Sequence, residues 1–449
     1  MKNILQHTIT KDCYKNKINN QIEIDELKSE MVKKYEYGDY SFENKIEYNL
    51  YTQKNKKRKI AEIKNENSNL YTNRSLEYFL SVSLNKLVVN KTKLKFGNRN
   101  KIILGLFNIL KALDKFQDYT IIKFDFKNFF DSISYKYVYN KYLDNIDFTK
   151  EQKSCLKKYI SSIKYCTAGL PLSNTFAEII GQDFDVKVKQ AFHGIIYYAR
   201  YVDDGILVLN NKLMECDVKS KLNQAMDNVF YDKAYFENTF NKTKIDYDKK
   251  FSYITREGDN NTFDYLGYLI KLEDMQGGRL RVTLGIAKQK QEKYKNKTKN
   301  IIREFKSTPE KMRLVLKLFS RRVVYTILKN NDVKRWISKG IIYNYKDLFF
   351  FGEDIDHDTK IFLDSLYNKC FSELGLKVPY YLKDSKCNRG YNLLYCLKQN
   401  KTFILDKNIG IKDEDLDNLL KIVSPEYDFN NRKYHEKVKQ LLIECKIGY

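Results

Sequence analysis

The spacing of apolar positions divides the first part of the chain into helices around one hairpin. Residues 46–63, IEYNLYTQKNKKRKIAEI, alternate apolar and polar positions on both sides of a basic run, which predicts a hairpin with a basic tip. Apolar residues recur at helical spacing over residues 74–90 and again over 98–115. A further helix is predicted around residues 22–36, within an otherwise polar N-terminal segment.

The middle of the chain mixes strands with helices. YTIIKFDF at 119–126 is a short apolar run typical of a strand, and YYARYVDDGILVL at 197–209 predicts a hairpin. FDYLGYLIKL at 263–272 is also typical of a strand. Helical spacing is predicted for three further stretches: 150–165, 172–192 and 216–240.

From about residue 286 the pattern predicts helices almost throughout. STPEKMRLVLKLF starts a helix with Thr308 as the N-cap and Pro309 in the first turn. KDEDLDNLLKIV offers Asp413 as another cap. A mixed α/β body up to about residue 275 is therefore expected to give way to an α-helical remainder.

The net charge of the chain indicates what kind of partner it binds. Lys and Arg number 81 against 57 for Asp and Glu, a net charge of +24, which favours a polyanionic partner, most often nucleic acid. The chain is also rich in Lys, Asn, Ile, Tyr and Phe and has only 4 Pro and 1 Trp, a bias that an AT-rich genome produces without functional meaning. Both explanations of the charge stay open at this point.

Cysteine usage and hydropathy indicate the cellular compartment and argue against a zinc site, a disulfide framework and a membrane span. The 8 cysteines and 4 histidines are scattered and form no C-x-x-C pair, so neither a zinc site nor a disulfide framework is expected. The N-terminus MKNILQHTITKDCYK lacks an apolar signal core, and no window offers the 18 or so apolar residues of a membrane span. We therefore expect a cytoplasmic protein without a membrane partner.

Two adjacent carboxylates, Asp203 and Asp204, lie at the tip of the apolar hairpin YYARYVDDGILVL. Like charges side by side resist burial, so their position needs a reason. One reason is structural, because Asp204-Gly205 is a favourable hairpin turn. The other is chemical, because two carboxylates at a rigid tip form half of a divalent-metal site. The stretch alone does not decide between them.

A third carboxylate lies in a matching context upstream. In IIKFDFKNFFDSIS, residues 121–134, Asp125 ends an apolar strand as Asp203 does. Strand-end carboxylates brought side by side can bridge two Mg²⁺ ions, which activate a 3′-hydroxyl and stabilise the leaving pyrophosphate, and Mn²⁺ also suits oxygen ligands. The alternative for Asp125 is a helix N-cap after the strand. Phe130, five residues further on, lies either beside the same site as a flat apolar plate or in the core.

The order of these motifs resembles that of reverse transcriptases. FDFKNFFDSI and YVDD resemble motifs A and C, GLPLSNTFAEI at 169–179 resembles motif B, and NKTKI at 241–245 resembles motif D. FDYLGYLI resembles the motif that follows, and the YTQKNKKRKI hairpin resembles the fingers element that grips the incoming triphosphate. Together the motifs cover residues 50–275.

The resemblance implies an α+β right-hand polymerase, with fingers and a palm built on antiparallel sheet, followed by an α-helical thumb and C-terminal region. Its expected parts are an N-terminal extension with fingers (1–118), a palm with inserted fingers helices (119–275), a basic helical thumb (276–346) and an α-helical C-terminal region (347–449).

The same resemblance implies roles for individual residues. Asp125, Asp203 and Asp204 would hold the metals, with the backbone carbonyl of Phe126 completing one metal's shell. Phe130 falls at the position of an aromatic gate against a ribose 2′-hydroxyl, and Lys242 falls near the motif D lysine, a candidate proton donor to pyrophosphate. The other expected nucleotide contacts are Lys56, Lys57, Arg58, Gly169, Pro171, Ser173 and Tyr201. Simpler alternatives stay open: a solvated basic turn at 56–58 and a surface lysine at 242. In the basic thumb, Lys293, Lys295, Lys297 and Lys299 are expected to contact nucleic-acid phosphates.

Motif B departs from the family pattern, Gly-Leu-Pro-x-Gly-x-x-x-Ser. Here Gly169-Leu170-Pro171 is followed directly by Leu172 and Ser173. Either Ser173 replaces the second glycine, or the loop is about four residues shorter and Ser173 is the motif's serine; the continuation Ser-Asn-Thr-Phe-Ala-Glu-Ile favours the shorter loop. In the family this loop touches the templating base and the incoming nucleotide, so the mode of template use stays open.

The size, the short motif B and the helical tail resemble the bacterial abortive-infection and defence-associated reverse transcriptases of the unknown groups. The expected function is DNA synthesis from dNTPs with two Mg²⁺ ions, RNA-templated or protein-primed and untemplated, in antiphage defence. The expected partners are an RNA template or non-coding RNA and a DNA product, with a tyrosine hydroxyl as a candidate primer and a further copy of the chain in an oligomer. The alternatives are an intron-maturase-like reverse transcriptase without endonuclease and a non-catalytic RNA-binding scaffold.

Overall fold

A computed structural model of the chain describes all residues except 16–19, 54–55, 65–73, 236–242, 259–260, 276–278, 330–332, 351, 427, 429–431 and 448–449. Its helices are α1 (Lys2–Lys15), α2 (Gln21–Tyr37), α3 (Leu76–Thr92), α4 (Arg99–Lys111), α5 (Phe129–Ser132), α6 (Tyr135–Val138), α7 (Lys150–Ser162), α8 (Pro171–Ala191), α9 (Glu215–Phe230), α10 (Lys288–Phe305), α11 (Pro309–Phe319), α12 (Ile341–Asn344), α13 (Asp347–Phe350), α14 (His357–Glu373), α15 (Tyr380–Lys383), α16 (Ser385–Asn388), α17 (Leu393–Lys398), α18 (Asp413–Val423) and α19 (Tyr434–Glu444). Its strands are β1 (Ile46–Gln53), β2 (Lys56–Ile63), β3 (Thr120–Lys127), β4 (Ile195–Tyr201), β5 (Asp204–Leu209), β6 (Lys244–Ile245), β7 (Ser252–Thr255), β8 (Thr262–Tyr265), β9 (Tyr268–Met275), β10 (Arg279–Ile286), β11 (Arg322–Lys329), β12 (Val333–Lys339) and β13 (Thr402–Leu405).

The chain folds as two compact units. The first, unit 1, comprises Met1–Ile102 and Lys115–Asn260. The second, unit 2, comprises Ile103–Asp114 and Asn261–Tyr449. Each is a mixture of helices and mainly antiparallel sheet. No helix among the residues described is long and apolar enough to cross a membrane.

Unit 1 is built around a five-stranded antiparallel sheet in which β3 is central. The strand order is β4-β5-β3-β6, and β7 also pairs with β3. Nearly every residue of β3 is buried, which explains its apolar composition, because a strand covered on both faces has no solvent side to alternate with. The rings of Phe124 and Phe126 pack against Phe184 of α8, with centroids 5.9 and 5.0 Å apart. The sheet end that carries Asp125 is therefore anchored in a rigid aromatic core.

The predicted hairpin at 46–63 is confirmed. Strands β1 and β2 pair in antiparallel register from Ile46–Ile63 to Gln53–Lys56, and the connecting residues 54–55 lie outside the described residues. The amide of Ala61 in β2 donates to the carbonyl of Ala168, 2.8 Å away. The hairpin is thus tied to the loop that precedes α8. The helices predicted at 22–36, 74–90, 98–115, 150–165 and 172–192 are also confirmed, to within four residues at each end, whereas the helix predicted at 216–240 corresponds to α9, which ends at Phe230.

The strands of unit 2 differ in two places from those predicted by the sequence. The run 263–272 is not one strand but parts of β8 and β9, which are joined by a turn at Leu266 and Gly267, both with positive φ (49° and 83°). The remainder beyond residue 286 is not wholly helical either. Strands β11 and β12 form an antiparallel pair, and β13 adds in parallel to β11.

In the sheet formed by β11, β12 and β13, the residue composition of β11 favours a strand, although the surrounding sequence has helical spacing. RVVYTILK in β11 is rich in β-branched and aromatic residues, which favour strands. The four residues of β13 carry no such signal, because a strand that short has no measurable periodicity and depends on its partner.

Of the predicted helix starts, Thr308 is the N-cap of α11 although its side chain makes no capping hydrogen bond, whereas Asp413 is the first residue of α18 after Lys412.

Candidate active site

The YVDD segment forms a two-residue turn between β4 and β5. Tyr201 pairs with Asp204 across the hairpin, so Val202 and Asp203 make the reversal. The alternative turn at Asp204-Gly205 is wrong, because both residues lie within β5. Gly205 is required for a different reason: a Cβ there would lie 2.2 Å from the Phe124 ring of the neighbouring strand. The glycine is therefore explained by its packing against Phe124, and not by the turn that carries the carboxylates.

Val202 adopts an unfavourable backbone conformation in this turn. Its φ is +61°, whereas Asp203 does not have a positive φ. A two-residue hairpin loop with positive φ at its first position favours glycine there. An L-residue in the left-handed region costs roughly 1–2 kcal/mol, and a β-branched residue is a genuine outlier. Contacts from elsewhere must therefore stabilise this turn.

The strand register brings Asp125 and Asp204 together. In the antiparallel pairing of β3 with β5, these two residues lie directly opposite each other. The amide of Phe126 donates to the carbonyl of Asp203 (3.1 Å), and the amide of Asp246 donates to the carbonyl of Asp125 (2.9 Å). Asp125 is not a helix cap, because the N-cap of α5 is Asn128. Asp125 and Asp204 thus face each other at one end of the sheet, with Asp203 on the adjoining turn.

Burial and like charge make this group electrostatically costly. Asp125 is only 4% exposed. Burial, followed by the charges of Asp125 and Asp203, raises the pKa of Asp204 to about 7. Oδ2 of Asp125 accepts a hydrogen bond from Nζ of Lys250 (2.7 Å), but its Oδ1 is buried and accepts none from the described residues. A nearby positive charge would lower the free energy of this arrangement.

Lys250 is a site residue that the sequence reasoning missed. Burial lowers the pKa of Lys250, but the hydrogen bond and the charge of Asp125 outweigh that effect and raise it above its ordinary value. Its side chain is half exposed, so it reaches the carboxylates from the solvent side. The available signal was its position a few residues beyond the motif D stretch, in a run that also contains Lys249.

The donor set fits a hard divalent cation. Carboxylate oxygens are the ligands that Mg²⁺ and Mn²⁺ prefer, and Oδ1 of Asp125 is a buried acceptor without a donor among the described residues. As the side chains stand, no three His, Cys, Asp or Glu residues of the described chain are grouped closely enough to bind a metal. The facing pair Asp125 and Asp204 could hold an ion, with Asp203 as the next carboxylate along the turn.

Phe126 and Phe130 flank the carboxylates differently. The N–H of Phe126 points to the carbonyl of Asp203, and in an extended strand the carbonyl of the same residue faces the same edge, toward the turn. The Phe126 ring is buried and stacks on Phe129 with centroids 4.8 Å apart. Phe130 is half-buried and meets Phe129 edge-on at 5.8 Å. Its ring therefore rests on the core while part of it stays exposed, and its gate role stays a prediction.

The motif B loop packs against the hairpin β1–β2. Gly169 has φ +102°, and a Cβ there would lie 2.3 Å from the carbonyl oxygen of Ala61 in β2. Only glycine fits this position, for both conformational and steric reasons. Pro171 is the first residue of α8, where its missing N–H and fixed φ suit a helix start.

Ser173 is buried within the motif B loop. Its side chain is buried, and its Oγ accepts from the amide of Thr167 (2.9 Å) and donates to the carbonyl of the same residue (2.6 Å). Its Oγ is also 2.7 Å from the hydroxyl of Tyr135. Ser173 therefore closes the loop from inside, and its expected contact with a nucleotide stays a prediction.

The structure describes the positions of some of the other residues that are expected to contact the nucleotide. Tyr201 is the last residue of β4, half-buried and paired with Asp204. Lys56, Lys57 and Arg58 begin β2, opposite Tyr51–Gln53 of β1. Lys242 lies outside the described residues, so its role stays a prediction.

The four lysines of α10 do not share one environment. Lys295 and Lys299 both pair with Glu373 of α14, at 2.6 and 2.5 Å. Lys293 is exposed, and Lys297 lies over the ring of Phe319, 5.6 Å from its centroid. Burial and the charge of Lys293 lower the pKa of Lys297. Successive lysines two residues apart thus face different surroundings, and half of the set is engaged within unit 2.

Comparison with known proteins gives one partial sequence match. No protein-family model matches the chain. A curated relative, the Retron Ec73 reverse transcriptase of Escherichia coli, is 32% identical over 103 residues, which is 20% of this chain and 33% of the relative. Over that stretch the chain is reverse-transcriptase-like. It spans about a third of the length of that relative (33%).

Solved structures give weaker likenesses. Telomerase from Candida tropicalis in complex with the TWJ fragment of telomeric RNA matches with 13% identity and a TM-score of 0.36, over 93% of this chain and 67% of that one. Telomerase from Candida albicans in complex with the same type of fragment matches with 14% identity and a TM-score of 0.34, over 81% and 56% of the two chains. Likenesses at this level are too low to support a conclusion about fold or function.

Proposed function

We propose that the chain is a right-hand DNA polymerase of the reverse-transcriptase type, which adds dNTPs to a 3′-hydroxyl. The observation that carries the proposal is the register of β3 and β5, which sets the buried Asp125 opposite Asp204 with Asp203 on the adjoining turn. The partial match to a protein named a reverse transcriptase supports the same class. Arrangements of this kind perform phosphoryl transfer by positioning and charge stabilisation rather than by covalent chemistry.

In this proposal the three carboxylates hold two Mg²⁺ ions, or Mn²⁺. When bound, such ions supply the positive charge that activates the attacking hydroxyl and stabilises the leaving pyrophosphate. Asp125 and Asp204 provide facing oxygens from rigid strands, and the turn provides Asp203. Phe126 directs its carbonyl toward the same edge. Lys250, hydrogen-bonded to Asp125, is a second candidate proton donor in addition to the proposed Lys242, because its ammonium lies at the carboxylates.

The proposal is tested by incubating the purified protein with labelled dNTPs, Mg²⁺ or Mn²⁺, and either a primed RNA template or no added nucleic acid. Incorporation only with the RNA supports RNA-templated synthesis. Incorporation without added nucleic acid, into product that stays with the protein after denaturation, supports protein priming through a tyrosine hydroxyl. Absence of incorporation under every condition contradicts the polymerase proposal and favours the RNA-binding scaffold.

Phe130 is proposed to exclude ribonucleotides. Removing the ring in Phe130→Ala should relieve a clash with the 2′-hydroxyl, and overpacking of that kind costs about 1–3 kcal/mol. The ratio of dNTP to rNTP incorporation should therefore fall by roughly one to two decades. Competition assays with matched dNTP and rNTP measure that ratio directly.

The neighbouring Phe129 gives the contrast for this prediction. Its ring is buried and stacked on Phe126, so Phe129→Ala should lower stability. We expect no comparable loss of sugar selectivity from it. Unchanged selectivity in Phe130→Ala, measured on a folded protein, assigns Phe130 to the core and removes it from the site.

Nucleic-acid binding by α10 is proposed to depend on Lys293 and Lys297 more than on the other two lysines. Neutralising both in K293Q/K297Q should weaken binding to all sequences alike and flatten the slope of log K against log salt by up to about 0.9 for each lost duplex contact. Lys295 and Lys299 already pair with Glu373, so K295Q/K299Q is the matched control and should change the slope less. Equal effects of the two pairs, or none, would show that α10 does not grip phosphates in this way.

We further propose a role in antiphage defence, based on the short motif B loop. Expression in a susceptible host should lower the number of phage plaques, and Asp125→Asn should restore it. Protection that persists in the variant would show that defence does not depend on nucleotide addition.

A further inference from the structure

Arg200 is the most deeply buried cation near the proposed site. Its side chain is 1% exposed, and it lies at the end of β4, two residues before Val202. Its guanidinium donates five hydrogen bonds: Nε and Nη2 to Asp185 (2.7 and 3.1 Å), Nη1 and Nη2 to Glu178 (3.1 and 3.0 Å), and Nη1 to the carbonyl of Val202 (2.7 Å). The last of these reaches the turn that carries Asp203.

Helix α8 is shaped to receive this guanidinium. Glu178, Gly181 and Asp185 lie three and four residues apart, so they share one face of the helix. A Cβ at Gly181 would lie 2.5 Å from Cζ of Arg200, so the glycine leaves the space that the planar group occupies. The hydroxyl of Tyr198 donates to Asp185 (2.7 Å) and fixes that carboxylate from the side of β4. Space, charge and hydrogen-bond acceptors on α8 therefore all match an arginine.

The turn needs such a contact because Val202 is held at φ +61° without being a glycine. A strained backbone persists only where its surroundings over-determine it. The hydrogen bond from Arg200 to the Val202 carbonyl fixes the peptide that joins Val202 to Asp203. Because Arg200 is itself anchored on α8, the position of the turn is set by the helix that begins at the motif B loop.

We propose that Arg200 is a positioning residue, which holds the strained Val202 turn so that Asp203 and Asp204 stand at Asp125. The consequence for catalysis rests on the proposed function, whereas the stabilisation of the turn does not. The competing explanation is simple charge compensation, in which Arg200 neutralises Glu178 and Asp185 and its bond to the turn is incidental. The two explanations predict different results for a lysine at this position, because lysine keeps the charge but has no rigid fork to bridge three acceptors.

The first measurement is hydrogen exchange of the metal-free protein in EDTA. The reporter is the amide of Phe126, which donates to the carbonyl of Asp203 across the turn, and the internal reference is the amide of Asp246, which donates to Asp125 instead. In Arg200→Lys the Phe126 amide should exchange about tenfold faster, as expected for loss of one charge-assisted hydrogen bond, while the Asp246 amide changes little. Unchanged exchange at Phe126, or an equal rise at both amides, overturns the proposal.

Arg256→Lys is the matched control for a carbonyl-binding arginine. Nη1 of Arg256 donates to the carbonyls of Phe116 and Gln117 (2.8 and 3.0 Å), so the substitution removes the same kind of contact from a different part of unit 1. It should leave exchange at Phe126 unchanged. If Arg200→Lys fails to fold, Gly181→Ala replaces it, because the added methyl displaces the guanidinium while all three charges remain. Gly181→Ala should then accelerate exchange at Phe126, and unaltered exchange in this folded variant overturns the proposal equally.

The second measurement is a double-mutant cycle with Val202→Gly. Glycine takes positive φ without strain, so a turn containing it should depend less on Arg200. We expect Arg200→Lys to lower kcat for dNTP addition about tenfold or more in the wild-type background, with little change in the KM for dNTP, and by less than about threefold in the Val202→Gly background. Equal losses in both backgrounds contradict the proposal.

The two measurements separate this proposal from the proposed function. If the wild-type protein adds no nucleotide but Arg200→Lys still accelerates exchange at Phe126, the polymerase proposal fails and the positioning of the turn stands. If the wild-type protein is active and Arg200→Lys alters neither exchange nor kcat, the positioning role fails while the polymerase proposal stands.

Discussion

Asp125→Asn is expected to lower dNTP incorporation by about a thousandfold or more while the protein stays folded. The substitution keeps the shape of the side chain but removes a charged metal ligand, and metal-ion stabilisation is worth several kcal/mol at about 1.4 kcal/mol per tenfold in rate. Folding should tolerate the change, because Asp125 faces Asp204 in a buried pair of like charges, and relief of that repulsion offsets loss of the ion pair with Lys250. Single-nucleotide incorporation with Mg²⁺ and with Mn²⁺, together with circular dichroism, measures both effects.

Asp227→Asn is the matched control for this prediction. Asp227 is an exposed aspartate on α9, and its substitution should change incorporation by less than about twofold, as for surface changes in general. We expect Asp203→Ala and Asp204→Asn to behave like Asp125→Asn. Near-normal synthesis by any one of the three would contradict the assignment of that carboxylate to the metal site.

Gly169→Ala is expected to have the largest effect on stability. The new Cβ would lie 2.3 Å from the carbonyl oxygen of Ala61, a backbone atom that cannot move without shifting β2, at a residue with φ +102°. Overpacking costs about 1–3 kcal/mol and the left-handed region about 1–2 kcal/mol more, so the free energy of unfolding should fall by roughly 3 kcal/mol. Urea denaturation followed by circular dichroism measures the loss.

Two other glycines separate the conformational cost of a positive φ from the steric cost of the added methyl group. Gly38 has φ +73° with nothing within 4 Å of a Cβ, so Gly38→Ala isolates the conformational cost, about 1 kcal/mol. Gly352 has neither a positive φ nor a close neighbour, so Gly352→Ala should be within about 0.5 kcal/mol of the wild type. A cost for Gly169→Ala no larger than that for Gly38→Ala would show that the loop does not pack on β2 as described.

Several elements of unit 1 are predictable from the sequence because their signals are local. The hairpin at 46–63, the strand ending at Asp125 and the helix after Pro171 all follow from periodicity, β-propensity and a proline at a helix start. The pairing of Asp125 with Asp204 did not follow from periodicity, because register depends on the partner strand. It was suggested by the order of motifs, and the structure supplies the geometry.

Contacts that the sequence does not reveal have identifiable physical causes. Ser173 carries no sequence feature that predicts its buried contacts with Thr167 and Tyr135. Arg200 and Lys250 were overlooked because their roles arise from residues far away along the chain: Glu178 and Asp185 for Arg200, and Asp125 for Lys250. Strands β11 and β12 are not evident from the sequence because their β-branched residues lie within a basic, helix-rich region.

The measurement that tests the central claim most directly is incorporation of a labelled dNTP into acid-insoluble product by the purified wild-type protein. We expect incorporation that requires Mg²⁺ or Mn²⁺, is abolished by EDTA, and is absent from an Asp125→Asn preparation purified in parallel. Equal incorporation by the two preparations would contradict the assignment of Asp125 to the metal site. No incorporation by the wild-type protein, with primed RNA or without it and with either metal, would contradict the account.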